Sequence, residues 1–225
     1  MRTQWLPLAG LLAGLFIAAS QYLIWFYAPV EQTLGPIQKI FYVHMPLAWW
    51  ALISFFVVFV ASALFLWKRL PVWDHLAGAA AELGVLFSGL ALVSGSIWAK
   101  VSWNVWWTWD PRLSTTLIMW FIYSGYLVLR SMDMNPRRRA VACAVVGIVA
   151  FVDVPLVFYS ARLWRSIHPA VLAAKGGGLE PEMLRTLFAS IAAFALLWLA
   201  MLGCRTRQLS ARARLDALAG QAQEL

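Results

Sequence analysis

The chain has 225 residues, of which 62% are hydrophobic and 12% are charged, and its formal net charge is +8. This composition excludes a soluble globular protein and indicates a membrane protein, because segments of about 20 apolar residues span a bilayer. We attribute the positive charge to membrane topology and to contact with anionic membrane lipid or an anionic ligand, and not to nucleic-acid binding.

Six apolar segments are long enough to span, so the sequence predicts an all-α, polytopic fold with one membrane domain covering residues 1–225. The first segment is too long for a cleavable signal peptide and lacks a small-residue cleavage site. The expected spans run from about Trp5 to Tyr27, Phe41 to Trp67, Ala79 to Ala99, Asp110 to Arg130, Ala140 to Ser160 and Met183 to Cys204. We expect the basic tail, residues 205–225, to form a short surface helix.

The placement of Lys and Arg predicts the orientation. With the N-terminus inside, 11 of the 18 basic residues fall on the inner side. This excess fits the positive-inside rule and predicts both termini on the cytoplasmic side. The other seven are an unusually large number for the outer side, and either solvated charge or an anion-binding rim explains them. They are Lys39, Lys100, Arg112, Arg162, Arg165, Lys175 and Arg185.

A tryptophan-rich stretch, residues 98–116, follows the third span at the membrane surface that is expected to face away from the cytoplasm. Five of the 14 Trp residues of the chain fall in its first twelve positions. They are Trp98, Trp103, Trp106, Trp107 and Trp109. If the stretch is helical, the i, i+3, i+4, i+7 spacing of residues 103, 106, 107 and 110 makes one face an indole slab ending in a carboxylate. An aromatic belt at the lipid headgroups is the simpler interpretation, but five Trp in one loop favour a platform for a flat ligand. Asp110 and Pro111 then start the fourth span as N-cap and N1.

Two of the three histidines, His44 and His168, lie on the same side as this stretch, whereas His75 is expected beside Asp74 in a solvated inner loop. Haem has an apolar ring, two carboxylates and an iron that accepts neutral imidazole on each face. Trp rings, a cationic rim and two histidines match these three features. Zinc fits less well because no third ligand is grouped with the pair.

Two acidic residues lie within the expected spans. Glu82 is near the inner end of the third span, where it either snorkels or pairs with an Arg of a loop. Asp153 precedes Pro155 within the fifth span, where a buried acid is costly. Capping of the backbone that Pro155 frees and orientation of a metal ligand are the two roles considered for it.

The motif W-x-x-W-W-x-W-D followed by P-R-L-S-T resembles the WWD signature of the haem-handling proteins of cytochrome c biogenesis. The segments I-F-Y-V-H-M-P-L-A-W and W-R-S-I-H-P extend the resemblance, and six spans in 225 residues match the haem exporter protein C (CcmC) family. Asn104 departs from the signature, which often has Gly there, and we expect a slightly altered turn.

The resemblance implies a component of haem delivery, not an enzyme, that holds haem b transiently and non-covalently. His44 and His168 would be the axial ligands, and the stretch from Trp98 to Asp110 the platform. We further expect Arg112, Lys39 and Arg165 to form the cationic rim. The implied partners are the haem chaperone CcmE, the small membrane subunit CcmD and the ATP-binding-cassette subunits CcmA and CcmB. The chain has no G-x-x-x-x-G-K-[ST] motif, so any ATP use would come from partners.

Two other functions remain open at this point. An electron-transfer cytochrome b buries its histidine pairs inside the spans, whereas both candidate ligands here lie at the outer edge. A permease that moves haem or another solute through its own bundle is the second, but the sequence lacks a pair of broken helices at midplane.

Overall fold

The computed structural model describes residues 5–164 and 179–223. Within these ranges the chain forms seven α-helices, with a π-helical turn after the first and a 3₁₀ turn before the second, and no β-strand. The α-helices are α1 (Trp5–Tyr22), α2 (Phe41–Lys68), α3 (Pro71–Trp103), α4 (Pro111–Ser131), α5 (Pro136–Ala150), α6 (Asp153–Leu163) and α7 (Pro181–Gln223).

Six helical stretches are long and apolar enough to cross a membrane, which confirms the expected six-span, all-α fold. The helices α5 and α6 together supply the fifth stretch, Pro136–Ser160. Short connections make neighbouring helices antiparallel. We call the end of the bundle that carries residues 98–110 the Trp end, and the end at which α2 and α4 terminate the basic end.

Proline and short polar side chains set where the helices begin. Asp110 caps α4, with its Oδ1 accepting a hydrogen bond from the Arg112 backbone N–H at 2.9 Å, and Pro111 occupies the first helical position. This confirms the predicted cap. Asn135 caps α5 in the same way, accepting from the backbone N–H of Arg137 at 3.1 Å. Each side chain satisfies a backbone donor that has no partner inside its helix.

Small residues on α3 allow it to pack closely against α2. Ala79, Ala80 and Ala81 are fully buried, and a Cβ at Gly84 would collide with the ring of Phe55. Phe55 in turn stacks on Tyr123 of α4, with ring centroids 3.8 Å apart. Close backbone approach through small residues is the usual way in which membrane helices associate.

The basic end is joined by ion pairs between helices. Asp74 of α3 pairs with Arg130 of α4. Glu82 of α3 pairs with Arg205 of α7, so its partner belongs to a helix and not to a loop. His75 is part of α3, and its Nδ1 lies 2.9 Å from the hydroxyl of Ser210. The expectation of a solvated His75 in a loop was wrong, because the loop between α2 and α3 is much shorter than expected.

The last helix continues without a break through the basic tail. α7 has 43 residues, which corresponds to about 64 Å at 1.5 Å per residue, roughly twice the hydrocarbon thickness. The expectation of a separate surface helix for residues 205–225 was therefore wrong. No proline follows Cys204 to break the helix, and Ser210 and Arg205 bind the tail to α3.

The helix of the fifth span is interrupted at Phe151 and Val152, shortly before Pro155. Asp153 stands at the start of α6, and its side chain caps no backbone group there. Its Oδ2 atom is buried without a hydrogen-bond partner in the described part of the chain. The capping role considered for Asp153 is thus not observed.

Candidate functional site

The tryptophan-rich stretch divides into a helical and a non-helical part. α3 ends at Trp103, and Asn104 terminates it in the left-handed conformation, with φ at 57°. The condition for a helical slab is therefore not met, because the residues from Val105 to Trp109 leave the helix. Asn tolerates the left-handed region better than other residues with a side chain. This tolerance explains how Asn104 replaces the Gly that often follows the first Trp of the signature.

The indole rings of the stretch differ strongly in exposure. Trp106 is 60% exposed and Trp109 is 79% exposed, and Trp103 is also on the surface. Trp107 is half-buried and contacts Trp109 edge to face, with ring centroids 6.0 Å apart. Exposed indoles next to one another form an apolar surface on which a planar ligand can lie.

Trp98 lies apart from these rings, in the last turns of α3, and is only 7% exposed. Its ring meets His44 edge to face at a centroid distance of 6.0 Å and Phe41 at 6.1 Å. The structure thus brings together His44 and Trp98, two of the residues singled out from sequence. Trp98 packs against the imidazole and is not part of the exposed surface.

His44 occupies the first turn of α2, at the Trp end, and faces α3. Its Nδ1 lies 3.0 Å from the hydroxyl oxygen of Ser94. Gly95 stands beside the ring, where an added Cβ would lie 3.1 Å from His44 Cε1. Sequence reasoning missed Ser94 and Gly95. Their signal was the i, i+1, i+4 spacing with Trp98, which places all three near one face of α3.

Several polar atoms at this end are buried without a hydrogen-bond partner in the described part of the chain. They include the Nε1 atoms of Trp98 and Trp107 and the Thr108 hydroxyl. Buried N–H groups rarely remain unpaired in native proteins. Such donors suit an acceptor that comes from outside the described chain, for example the carboxylate of a ligand.

The basic residues expected at the rim differ in their surroundings. Lys39 is only 8% exposed, and its ammonium donates to the Trp25 carbonyl at 3.1 Å and lies over the Trp25 ring. The expectation that Lys39 lines an exposed rim was therefore wrong, because the side chain turns inward to the end of the first span. Arg112 is half-buried at the start of α4. Lys100 donates to the Asn104 side chain at 2.8 Å.

His168 and Arg165, which were expected at this site, lie outside the described residues. The described residues contain no group of three or more His, Cys, Asp or Glu side chains that could hold a metal ion. A metal that enters with its own organic ligand, such as haem iron, requires fewer protein ligands than a bare ion. The single imidazole of His44 in the described part of the chain is therefore compatible with haem iron.

Comparison with known proteins identifies the family. A family model described as Heme exporter protein C matches residues 1–220. The chain belongs to the haem exporter protein C family. The Heme exporter protein C of Paracoccus denitrificans is 33% identical over 222 residues, which cover 97% of this chain and 92% of that protein.

Two further relatives carry the same name or a related one. The Heme exporter protein C of Bradyrhizobium diazoefficiens is 36% identical over 177 residues, covering 77% of this chain and 67% of its own length. A putative cytochrome c biosynthesis ccmC-like mitochondrial protein of Marchantia polymorpha is 30% identical, covering 85% and 82%. The family resemblance seen in the WWD motif is thus confirmed over nearly the whole chain.

Proposed function

We propose that this chain is a haem-handling membrane protein of cytochrome c biogenesis. It holds haem at the periplasmic face of the bacterial inner membrane and delivers it to the haem chaperone CcmE. Membership of the haem exporter protein C family and the six apolar helices support this proposal. The protein acts as a delivery component and not as an enzyme, in agreement with the names of its relatives.

The observation that carries the proposal is the position of His44. Its imidazole lies at the Trp end, bound to Ser94 through Nδ1 and resting against Trp98. A ligating histidine usually has its second ring nitrogen held by a hydrogen bond in this way. His168 supplies the second axial imidazole in the proposed complex, so that the iron has one histidine on each face.

The exposed Trp rings would provide the apolar contact with the haem macrocycle. Removal of apolar surface from water contributes about 25 cal/mol per Å², so a large flat ring gains several kcal/mol from such a platform. The iron ligands then set the orientation and spin state of the haem. The haem is b-type and held without a covalent bond, which permits its release.

The two propionate carboxylates on one edge of haem need hydrogen-bond donors from the protein. Arg112, at the N-terminus of α4, and Arg165 would face the propionates or an acidic surface of the chaperone, because guanidinium groups bind carboxylates in two-pronged hydrogen bonds. The indole N–H groups of Trp98 and Trp107, which have no hydrogen-bond partner in the described part of the chain, are further donors at the same end. Lys39 is not part of this rim, because its ammonium group donates a hydrogen bond to the Trp25 carbonyl.

The orientation in the membrane follows from charge. Both termini lie in the cytoplasm and the Trp end in the periplasm, as the excess of Lys and Arg at the basic end indicates. The small subunit CcmD and the ATP-binding-cassette pair CcmA and CcmB complete the assembly, and anionic lipid contacts the basic end.

The proposal is tested by the absorption spectrum of the purified protein, recorded before and after addition of apo-CcmE. We expect a low-spin, six-coordinate haem that disappears from this protein as it appears on the chaperone. His44→Ala should leave five-coordinate or lost haem, and the matched His75→Ala variant at the basic end should bind as the natural protein does. Haem that changes redox state but never leaves would support an electron-transfer cytochrome instead.

A further inference from the structure

Three groups form a hydrogen-bonded chain between α2 and α3 at the Trp end. His44 Nδ1 lies 3.0 Å from Ser94 Oγ. Ser94 Oγ in turn lies 3.1 Å from the backbone carbonyl oxygen of Ala91, one turn earlier in α3, to which it donates. The series of hydrogen bonds therefore runs from an imidazole through a hydroxyl to a carbonyl.

The carbonyl at the end of this series determines which group donates in each hydrogen bond. A carbonyl oxygen only accepts, so the single hydroxyl proton of Ser94 points to Ala91. The Ser94 oxygen is then the acceptor for His44, which requires the proton on Nδ1. A neutral imidazole with its proton on Nδ1 carries its lone pair on Nε2.

We propose that Ser94 is a positioning residue that fixes His44 in the Nδ1–H tautomer and presents Nε2 as the nitrogen that binds iron. This inference rests on the proposed function of His44 as a haem ligand. The hydrogen bond to Ser94 also makes the imidazole a better electron donor to the metal, since an N–H donor bound to an acceptor raises the basicity of the opposite nitrogen.

The surroundings of the ring reinforce this assignment. Gly95 lies alongside His44 Cε1, where an added Cβ would approach to 3.1 Å, so a side chain at this position would push the ring by a few tenths of an ångström. Trp98 meets the ring edge to face at 71°. Ser94, Gly95 and Trp98 all belong to α3. One helix therefore determines both the tautomer and the tilt of a ligand carried by another.

The basic end contains the same arrangement and provides an internal control. His75 Nδ1 lies 2.9 Å from Ser210 Oγ, and Ser210 donates to the Thr206 carbonyl at 2.9 Å. His75 is at the opposite end of the bundle from the Trp stretch. Removal of the Ser210 hydroxyl thus imposes the same chemical change on a histidine that takes no part in haem binding.

The first test uses the haem-free, full-length protein with ¹⁵N-labelled histidine, whose ring resonances report the tautomer. The chain has three histidines, so His44→Gln assigns the signal. We expect His44 to be protonated at Nδ1, and Ser94→Ala to lose this preference while Ser94→Thr keeps it. A His44 ring protonated at Nε2 in the natural protein overturns the assignment.

The second test measures haem affinity and the midpoint potential of the haem-loaded protein. Loss of an outer partner of a metal-bound histidine costs about 10- to 100-fold in affinity. We expect a loss of at least about 10-fold and a higher potential for Ser94→Ala, and neither change for Ser94→Thr or Ser210→Ala. Unchanged affinity and potential in Ser94→Ala overturn the positioning role.

Gly95→Ala gives an independent check that leaves the serine in place. Its matched control is Gly125→Ala, because an added Cβ at Gly125 meets nothing within 4 Å. We expect only the change at Gly95 to alter the low-spin spectrum. If the tautomer test succeeds but His44→Ala binds haem as tightly as the natural protein, the ligand role of His44 fails while the Ser94 contact stands.

Discussion

Arg130 at the end of α4 holds Asp74 at the start of α3 through two parallel hydrogen bonds. The Nη1–Oδ1 distance is 2.7 Å and the Nη2–Oδ2 distance is 3.1 Å. Gly78 provides the space, since a Cβ there would lie 2.8 Å from Arg130 Cζ. The pair joins two spans at the basic end while the opposite ends of the same two helices carry the Trp stretch.

We expect Asp74→Asn to destabilise the bundle by about 2–4 kcal/mol, because it leaves a largely buried guanidinium without its counter-charge. Thermal unfolding in detergent measures the change. The exposed pair of Arg185 and Glu182, 3.9 Å apart, is the control, and Glu182→Gln should change the unfolding temperature much less, because solvent screens an exposed pair. Equal effects of the two substitutions would mean that the Asp74 pair is also screened by solvent.

The features of the fold that depend on local sequence could be predicted. Apolar length indicated the six spans, and Asp110 with Pro111 indicated the start of α4. Contacts between distant residues could not be predicted, because one sequence does not show which faces meet. The pairing of Glu82 with Arg205, 123 positions away, and the contact of His44 with Ser94 are of this kind.

The candidate site was predicted in composition but not in shape. The Trp spacing fits a helix, yet one residue, Asn104, adopts the left-handed conformation and ends α3 within the stretch. Helical periodicity alone could not reveal this end, since Asn is allowed both inside a helix and after it. The burial of Lys39 depends on the carbonyl of Trp25, a backbone group that the sequence does not display.

Orientation in the membrane is open to a labelling experiment. With Cys143 and Cys204 replaced by Ala, we expect a single Cys at Trp109 to react with an impermeant maleimide in intact spheroplasts. A single Cys at Asp133, in the loop before α5, should react only after permeabilisation. Both sites are exposed, so access to the reagent and not burial decides the result. Reaction at Asp133 from outside would reverse the proposed topology.

The hydrogen bonds of the Glu31 carboxylate, in the loop before α2, should be lost at acidic pH. The backbone N–H groups of Leu34 and Thr33 donate to the Glu31 carboxylate and hold its pKa below the ordinary value of 4.5. A lowered pKa in the folded state means that these hydrogen bonds are complete above the ordinary value and are lost as the pH falls through the lowered one. The protection of the residue 33 and 34 amides, measured as exchange relative to the intrinsic rate at each pH, should therefore fall in acid. Glu31→Gln should reduce this pH dependence, and an unchanged profile would exclude the carboxylate as its cause.

We expect the carboxyl group of Asp153 to lower the free energy of unfolding. It lies in an apolar groove with Val149, Val152 and Leu156, and its Oδ2 has no hydrogen-bond partner in the described part of the chain. A buried polar group without a partner costs about 1–3 kcal/mol, so Asp153→Leu should raise the unfolding temperature. Val152→Leu, next to it, is the control and should change little. A loss of stability in Asp153→Leu would show that the carboxyl group makes a favourable contact.

The Trp stretch and His44 should contribute differently to haem binding. Trp106 and Trp109 expose their rings at the Trp end, whereas Trp67 is equally exposed, at 77%, at the basic end. We expect Trp106→Ala or Trp109→Ala to lower haem occupancy several-fold while the remaining haem stays six-coordinate, because these rings supply apolar contact and not a ligand. Trp67→Ala should leave occupancy unchanged.

His44→Ala should instead change the coordination state: the haem that remains bound should be five-coordinate, and added imidazole should restore the six-coordinate spectrum. Trp98→Ala tests the link between the two groups, since Trp98 contacts the His44 ring and is buried. It should alter ligation as well as occupancy, because the imidazole loses its support. Occupancy and spectrum are both read from one absorption measurement on purified protein. Full occupancy in the Trp106 and Trp109 variants, combined with failed transfer to CcmE, would instead assign the exposed rings to the chaperone contact.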